Sequence, residues 1–176
     1  MRLKSLLASS LVLYLFVSVQ VTSAKPNRGC QFPAGLSDEV SKRFPGTRLV
    51  TLADLDEYDR KLYKKDHGLR CPGLVKVNFY GDGKPTWALV LIAGQNPRRK
   101  TELVVAHKLD KDWDIRSLES TDGDPVVWRE PPGKYEGLDD KTIHATRPVV
   151  VLCYYGSSTI VYTWNGKEVE KVWVSD

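Results

Sequence analysis

From Leu74 to Val174 the chain is a series of short apolar segments separated by turn residues, and this spacing constrains the fold more than any other feature. Val75, Val77 and Phe79 alternate with Lys76 and Asn78, the period of a strand with one face inward. Gly81-Asp82-Gly83-Lys84-Pro85 then turns the chain, and Trp87 to Ile92 follows as an unbroken apolar run suited to a central strand covered on both faces. Leu103–Ala106 and Trp113–Ile115 are expected to pair across Leu109–Asp112, and Val126–Trp128 reads as a further short strand. Pro131–Asp140, rich in Pro, Gly and charge, is expected to be irregular. A last meander runs through Pro148–Tyr154, Thr159–Trp164 and Glu168–Val174, where Asn165-Gly166 predicts a type I′ hairpin because both residues tolerate positive φ. No repeat of ~20–50 residues is present, which excludes a solenoid or a complete propeller.

Two helices are expected before the strands. Ser37-Asp38-Glu39 offers a capping hydroxyl and first-turn acids, and Pro45-Gly46 stops that helix; Thr47–Val50 can be a strand. Ala53–Lys65 predicts a second helix with Leu55, Tyr58, Leu62 and Tyr63 on one face, acids leading and lysines trailing, ended by Asp66-His67-Gly68. The fold class is therefore α+β: two N-terminal helices and an antiparallel sheet of about seven strands.

Residues 1–24 have the layout of a secretory signal peptide. Arg2 and Lys4 precede an apolar stretch from Leu6 to Val21, and Thr22-Ser23-Ala24 supplies small residues for cleavage after Ala24. Ser9, Ser10, Ser18 and Gln20 interrupt the apolar run, so it suits a cleaved leader better than a retained span of ~20 residues. Residues 25–176 then form a single secreted or periplasmic domain with no stable membrane span after processing. The leader carries two bases and no acid, so the net charge of +4 falls to +2 for residues 25–176. Arg98-Arg99-Lys100, read as a solvated loop, is the one basic cluster, too little for a nucleic-acid surface.

In an oxidising compartment Cys30 and Cys71, both in turn-like surroundings, are the favoured disulfide pair. Cys153, within the apolar run Val149–Tyr155, is expected to be buried and inert.

Asn78-Phe79-Tyr80-Gly81-Asp82-Gly83-Lys84-Pro85-Thr86-Trp87 resembles the Asp-x-Asp-Gly-Asp-Gly-x-x-Asp loop of FG-GAP or VCBS-type repeats. It looks especially like the single copy in a group of small exported bacterial proteins without assigned function, which also share a Cys-Pro-Gly and a closing Tyr-x-Trp followed by Val-Trp-Val-Ser-Asp. The resemblance covers Arg48 to the C-terminus loosely; only the Gly-Asp-Gly loop is specific. It implies a strand–loop–strand unit of an envelope protein. In the family's calcium loops the ligand positions would fall on Asn78, Tyr80, Asp82, the Lys84 carbonyl and Thr86. Tyr80 is a poor ligand and Thr86 brings no charge, so a degenerate loop that keeps the turn and lacks the ion is expected, with no metal and no other cofactor.

Catalytic signatures are sparse. His67, His107 and His144 stand in no metal-ligand spacing, and there is neither a Gly-x-Ser-x-Gly elbow nor a phosphate loop. His67 reads as a helix-end residue serving the dipole. Glu130, Glu136, Asp139 and Asp140 crowd Arg129–Lys141, and two of them could flank a scissile bond as acid and base. Aromatic residues are the second signal: Trp113, Trp128, Trp164 and Trp173 fall on predicted strands, and an outward set beside Arg129–Lys141 would suit a protein or carbohydrate ligand. The reading is a non-enzymatic binding domain, inhibitor-like in one form, that recognises an envelope or extracellular component. Its candidate binding residues are Trp128, Arg129, Glu130, Tyr135 and Glu136. The competing reading is a small hydrolase using carboxylates of the 129–141 segment.

Overall fold

The computed structural model describes residues 30–94 and 99–174, and the leader and Arg98 lie outside them. Among the described residues, α1 (Leu36–Arg43) and α2 (Glu57–His67) are separated by the short strand β1 (Arg48–Leu49). Ten more strands follow: β2 (Leu74–Val77), β3 (Thr86–Ala93), β4 (Lys100–Lys108), β5 (Trp113–Asp122), β6 (Val126–Glu130), β7 (Gly133–Glu136), β8 (Thr142–Ala145), β9 (Val149–Tyr154), β10 (Ser158–Trp164) and β11 (Val169–Val174). The strands do not make one sheet of about seven. They divide into a sheet ordered β1-β3-β4-β5 with β2 also on β3, a sheet ordered β11-β10-β9-β6, and the two-stranded hairpin β7-β8, all antiparallel. Nor do both helices precede the strands: β1, within the expected Thr47–Val50 segment, lies between them and pairs with the C-terminal end of β3 at Leu91 and Ile92.

The layering explains the unbroken apolar runs. Ala88, Val90 and Ile92 of β3 pack with Val150 and Leu152 of β9 and Ile160 and Tyr162 of β10, forming the core between the two large sheets. The alternate residues Leu89 and Leu91 point to a second cluster with Leu36 and Val40 of α1 and with Trp113 and Ile115. Val149, Val151 and Val161 face a third cluster closed by Ile143 and Ala145 of β8. With both faces of β3 and β9 covered, a polar residue on either face would be stranded without water, so period-2 alternation is suppressed there.

Local chemistry sets the element ends. Gly35, in the left-handed region, caps α1 without a side-chain bond, so Ser37 lies inside the first turn rather than at the cap. Asp56 caps α2 by accepting from the Asp59 amide at 2.8 Å. The predicted start at Ala53 fails because Asp54 is committed to a turn, its carboxylate accepting from the Thr51 amide and hydroxyl at 2.8 Å each and from Arg48 Nη1 at 2.7 Å. On α2 the inward residue is Tyr63, 1% exposed, whereas Tyr58 is 64% exposed and Leu55 packs from the preceding turn.

The β10–β11 hairpin forms as expected, but its turn sits one residue later than Asn165-Gly166. Asn165 N donates to Glu168 O at 3.1 Å, placing Gly166 and Lys167 at the centre, and only Gly166 of this turn has positive φ, at 102°. The Asn165 side chain instead accepts from the Lys167 and Glu168 amides at 2.8 and 2.9 Å, which anchors the turn as an Asx motif. Pro131–Asp140 also departs from expectation, since Gly133–Glu136 pairs with Thr142–Ala145. That hairpin is fastened to β11 by the Leu138 amide donating to Trp173 O at 2.9 Å.

Arg99 is not solvated. Its side chain is 14% exposed, reaches Asp54 at 3.8 Å and makes a short ion pair with Asp124, tying the start of β4 to the turn before α2. Lys100 opens β4 and pairs with Asp122 at 2.8 Å. Burial would raise the Asp54 carboxyl, but the Arg48 and Thr51 hydrogen bonds and the Arg48 charge outweigh it and hold the group at about 2. A carboxyl depressed from 3.8 to about 2 contributes stability that is complete above pH 3.8 and lost as pH falls through 2. The stability gap between the parent and Asp54→Asn, measured by urea unfolding, is therefore expected to shrink by about 2 kcal/mol from pH 5 to pH 1.5. A gap that stays constant would remove Asp54 as the titrating anchor.

The predicted disulfide is present between Cys30 and Cys71, with Cα atoms 4.9 Å apart. Cys153 is buried in β9, 2% exposed. Among the described residues no helix is long and apolar enough to cross a membrane.

Candidate functional site

The 78–86 segment folds as the strand–turn–strand unit that its sequence suggests, but its polar groups are spent within the protein. Asp82 accepts from the Lys84 amide at 3.0 Å and pairs through its other oxygen with His107 Nε2 at 3.0 Å. His107 Nδ1 lies 2.9 Å from the Thr86 hydroxyl. Burial works to raise the Asp82 carboxyl, yet the Lys84 amide and His107 bring it below the ordinary range. Lys84 Nζ turns outward to Asp110 at 3.0 Å, and Asn78 is exposed. The Tyr80 ring lies edge-on to His107, centroids 4.7 Å apart, and to Trp164 at 5.1 Å. Asp82 and Thr86 thus meet on the His107 ring, whereas Lys84 is drawn to Asp110 and Asn78 is exposed. Among the described residues no group of three or more His, Cys, Asp or Glu side chains is placed to hold a metal ion.

The hydroxyl–imidazole–carboxylate chain Thr86–His107–Asp82 has the composition of a nucleophile relay, but Thr86 is 0% exposed, so no substrate reaches its oxygen. It stitches the turn to β4. Thr86 and His107 are cross-strand partners, a relation visible only once β3 and β4 are in register.

Trp128, Arg129 and Glu130 lie on β6, and Tyr135 and Glu136 on β7. Trp128 is half-buried, packing against both the central core and the cluster beneath the β7–β8 hairpin. Its indole Nε1 donates to Glu130 Oε1 at 2.8 Å, and its ring lies 4.7 Å from that of His67. Arg129 Nη1 donates to the Lys76 carbonyl at 3.4 Å, reaching toward β2. Tyr135 is also half-buried, its hydroxyl donating to Pro131 O at 2.6 Å, and Glu136 is paired with Lys134. The Lys134 hydrogen bond and charge lower the Glu136 carboxyl.

The structure thus brings Trp128, Arg129 and Glu130 together with the C-terminal end of α2, and leaves Tyr135 and Glu136 on the neighbouring hairpin. Two adjoining hollows share Asp66, His67, Trp128 and Glu130 as a common wall. The smaller, about 290 Å³, also has Tyr63, Arg70, Cys71 and Arg129 along its lining. The larger, about 560 Å³, adds Tyr58, Leu62, Tyr155 and Thr159. Burial pushes the His67 imidazole below its ordinary 6.5, against the pull of Asp66 and Glu130, so it is largely neutral at pH 7. Burial also raises the Tyr155 phenol, whose oxygen has no hydrogen-bond partner among the described residues. An aromatic wall with a few oriented polar groups is the usual make-up of a small ligand site.

Sequence reasoning missed Tyr58, Asp66, His67 and Tyr155. The first three were read as helix face and helix end, and Tyr155 as part of an apolar strand. Their meeting with Trp128 needs α2 to sit over the edge of the second sheet, which no local pattern encodes.

Compared with known proteins, the chain matches no family model, no curated protein and no solved structure at a significant level.

Proposed function

We propose that the chain is an exported, non-enzymatic binding domain, secreted or periplasmic once residues 1–24 are removed, and that its recognition surface is the double hollow between α2 and β6. The observation that carries the reading is the shared wall of His67, Trp128, Glu130 and Asp66 beside the exposed ring of Tyr58. A disulfide and a signal-like leader support export. The ligand is a protein or carbohydrate of the envelope or exterior, an inhibitor-like contact being one form of this. The FG-GAP-like segment is, on this reading, a retained structural turn.

The hydrolase reading has less support. A general acid needs a raised carboxyl pKa, whereas Glu136 is lowered by Lys134, and Asp139 is spent accepting from the Lys141 amide at 3.3 Å.

Trp128→Ala is a poor probe, because the half-buried ring would report on packing. Tyr58→Ala with Glu130→Gln alters the hollow from outside, and Gln keeps an acceptor for the Trp128 indole. Residues 25–176 are expected to retain a specific partner from the native envelope or extracellular fraction. The double variant should lose at least about tenfold in affinity, the scale of one aromatic anchor, with its melting temperature unchanged. Equal retention by both proteins would place recognition elsewhere.

A further inference from the structure

The two carboxylates of the larger hollow differ from most of those that hold the fold together. Asp54, Asp82, Glu119 and Asp124 each face a basic partner inside the protein. Neither Asp66 nor Glu130 stands in an ion pair among the described residues, and Glu130 accepts from the Trp128 indole through one oxygen, Oε1. No Lys or Arg lines the larger hollow. Arg70 and Arg129 line only the smaller one, beyond the shared wall.

Around these two acceptors stand Tyr58, Trp128 and Tyr155, with Leu62 and His67 completing the wall. Aromatic faces carry negative potential and attract cations, most strongly where water is excluded. The charged groups of the hollow are carboxylate acceptors, so the ligand group that both bonds and neutralises them is a cationic donor. Lysine ammonium has three donors and no acceptor, and arginine guanidinium has five donors and none. A neutral sugar would cover the carboxylates without neutralising them.

Resting on the reading of this cleft as the recognition surface, we propose that the larger hollow receives a lysine or arginine side chain of a protein partner, held between Asp66 and Glu130 beside the rings of Tyr58 and Trp128. The volume of about 560 Å³ admits more than one side chain, so flanking residues of the partner enter as well. Arg70 and Arg129 across the wall then favour an acidic group or a chain-terminal carboxylate next to the basic residue.

The test uses the full chain, expressed with its own leader, and short capped peptides as probes: Ala-Arg-Ala and Ala-Lys-Ala, with Ala-citrulline-Ala and Ala-norleucine-Ala as neutral controls and a set of soluble oligosaccharides. Signals of the Trp128 indole N–H and the His67 ring, assigned through Trp128→Phe and His67→Gln, report occupancy by nuclear magnetic resonance. The basic peptides are expected to shift both signals with dissociation constants on the order of millimolar for a single isolated contact. The citrulline and norleucine peptides should bind at least about tenfold more weakly, and Asp66→Asn or Glu130→Gln should each cost several-fold at unchanged melting temperature. Citrulline binding as tightly as arginine would overturn the charge argument. Oligosaccharides shifting the signals while basic peptides do not would also overturn it, yet leave the cleft as the recognition surface. No shift from any probe, together with undiminished partner capture by the Tyr58→Ala/Glu130→Gln protein, would overturn both.

Discussion

Replacing Cys30 and Cys71 together by alanine is expected to lower the unfolding free energy by about 4 kcal/mol, read by urea denaturation. The bridge closes a loop with a sequence separation of 41, and removing such a cross-link returns its closure entropy to the unfolded chain. The position of the bridge adds a local effect. Pro72 O accepts from the Val127 amide at 2.7 Å and Gly73 O from the Val90 amide at 2.9 Å, so the residues after Cys71 are bonded to both large sheets. Tyr63 of α2 donates to the Cys71 carbonyl at 3.0 Å, its phenol pushed up to about 12 by burial. Loss of the bridge should therefore loosen the end of α2, broadening the His67 and Trp128 signals before global unfolding. A change below about 1 kcal/mol would mean that the unfolded chain is already restricted across this loop.

Phe79→Ala is expected to cost about 3–5 kcal/mol, because the ring is 0% exposed in the central core and its removal leaves a cavity there. Asn78→Ala and Lys84→Ala, on the exposed side of the same segment, should each stay within about 0.5 kcal/mol. The contrast bears on what the Gly-Asp-Gly loop is for. If its value is structural, stability concentrates in Phe79, which anchors the turn into the core. A cost for Phe79→Ala below about 1 kcal/mol would show that the turn is held by its polar bonds instead.

Much of the secondary structure was legible because its signals are local. Trp87–Ile92 announced a strand covered on both faces, and β3 has neighbours on both edges and clusters on both faces. The pairing of Cys30 with Cys71 followed from two turn-borne cysteines and one strand-borne cysteine. The misses share a cause in competing local bonds. Asp54 spends its carboxylate on Thr51 and Arg48 and delays α2, and Asn165 uses its side chain as an acceptor and shifts the hairpin turn by one residue. The 131–140 segment read as irregular because prolines and charges hid a hairpin whose inward residues, Ile143 and Ala145, come mainly from its second strand.

The candidate cleft was legible only in part. Trp128 stood out as an aromatic on a strand and Glu130 as an acid of the 129–141 segment, and only the extension of β6 to Glu130 puts both on one side and lets the indole reach the carboxylate. Their partners on α2 and after β9 lie far away in sequence. By itself the sequence determined most of the strand segments, which cysteines pair and much of the core, because these follow from local composition and hydrophobic period. Only the tertiary structure decided that the strands split into two packed sheets and that α2 brings Asp66 and His67 to Trp128. Hydrophobic burial is non-directional: it dictates that a face be covered, and the choice of cover rests on contacts between residues distant along the chain.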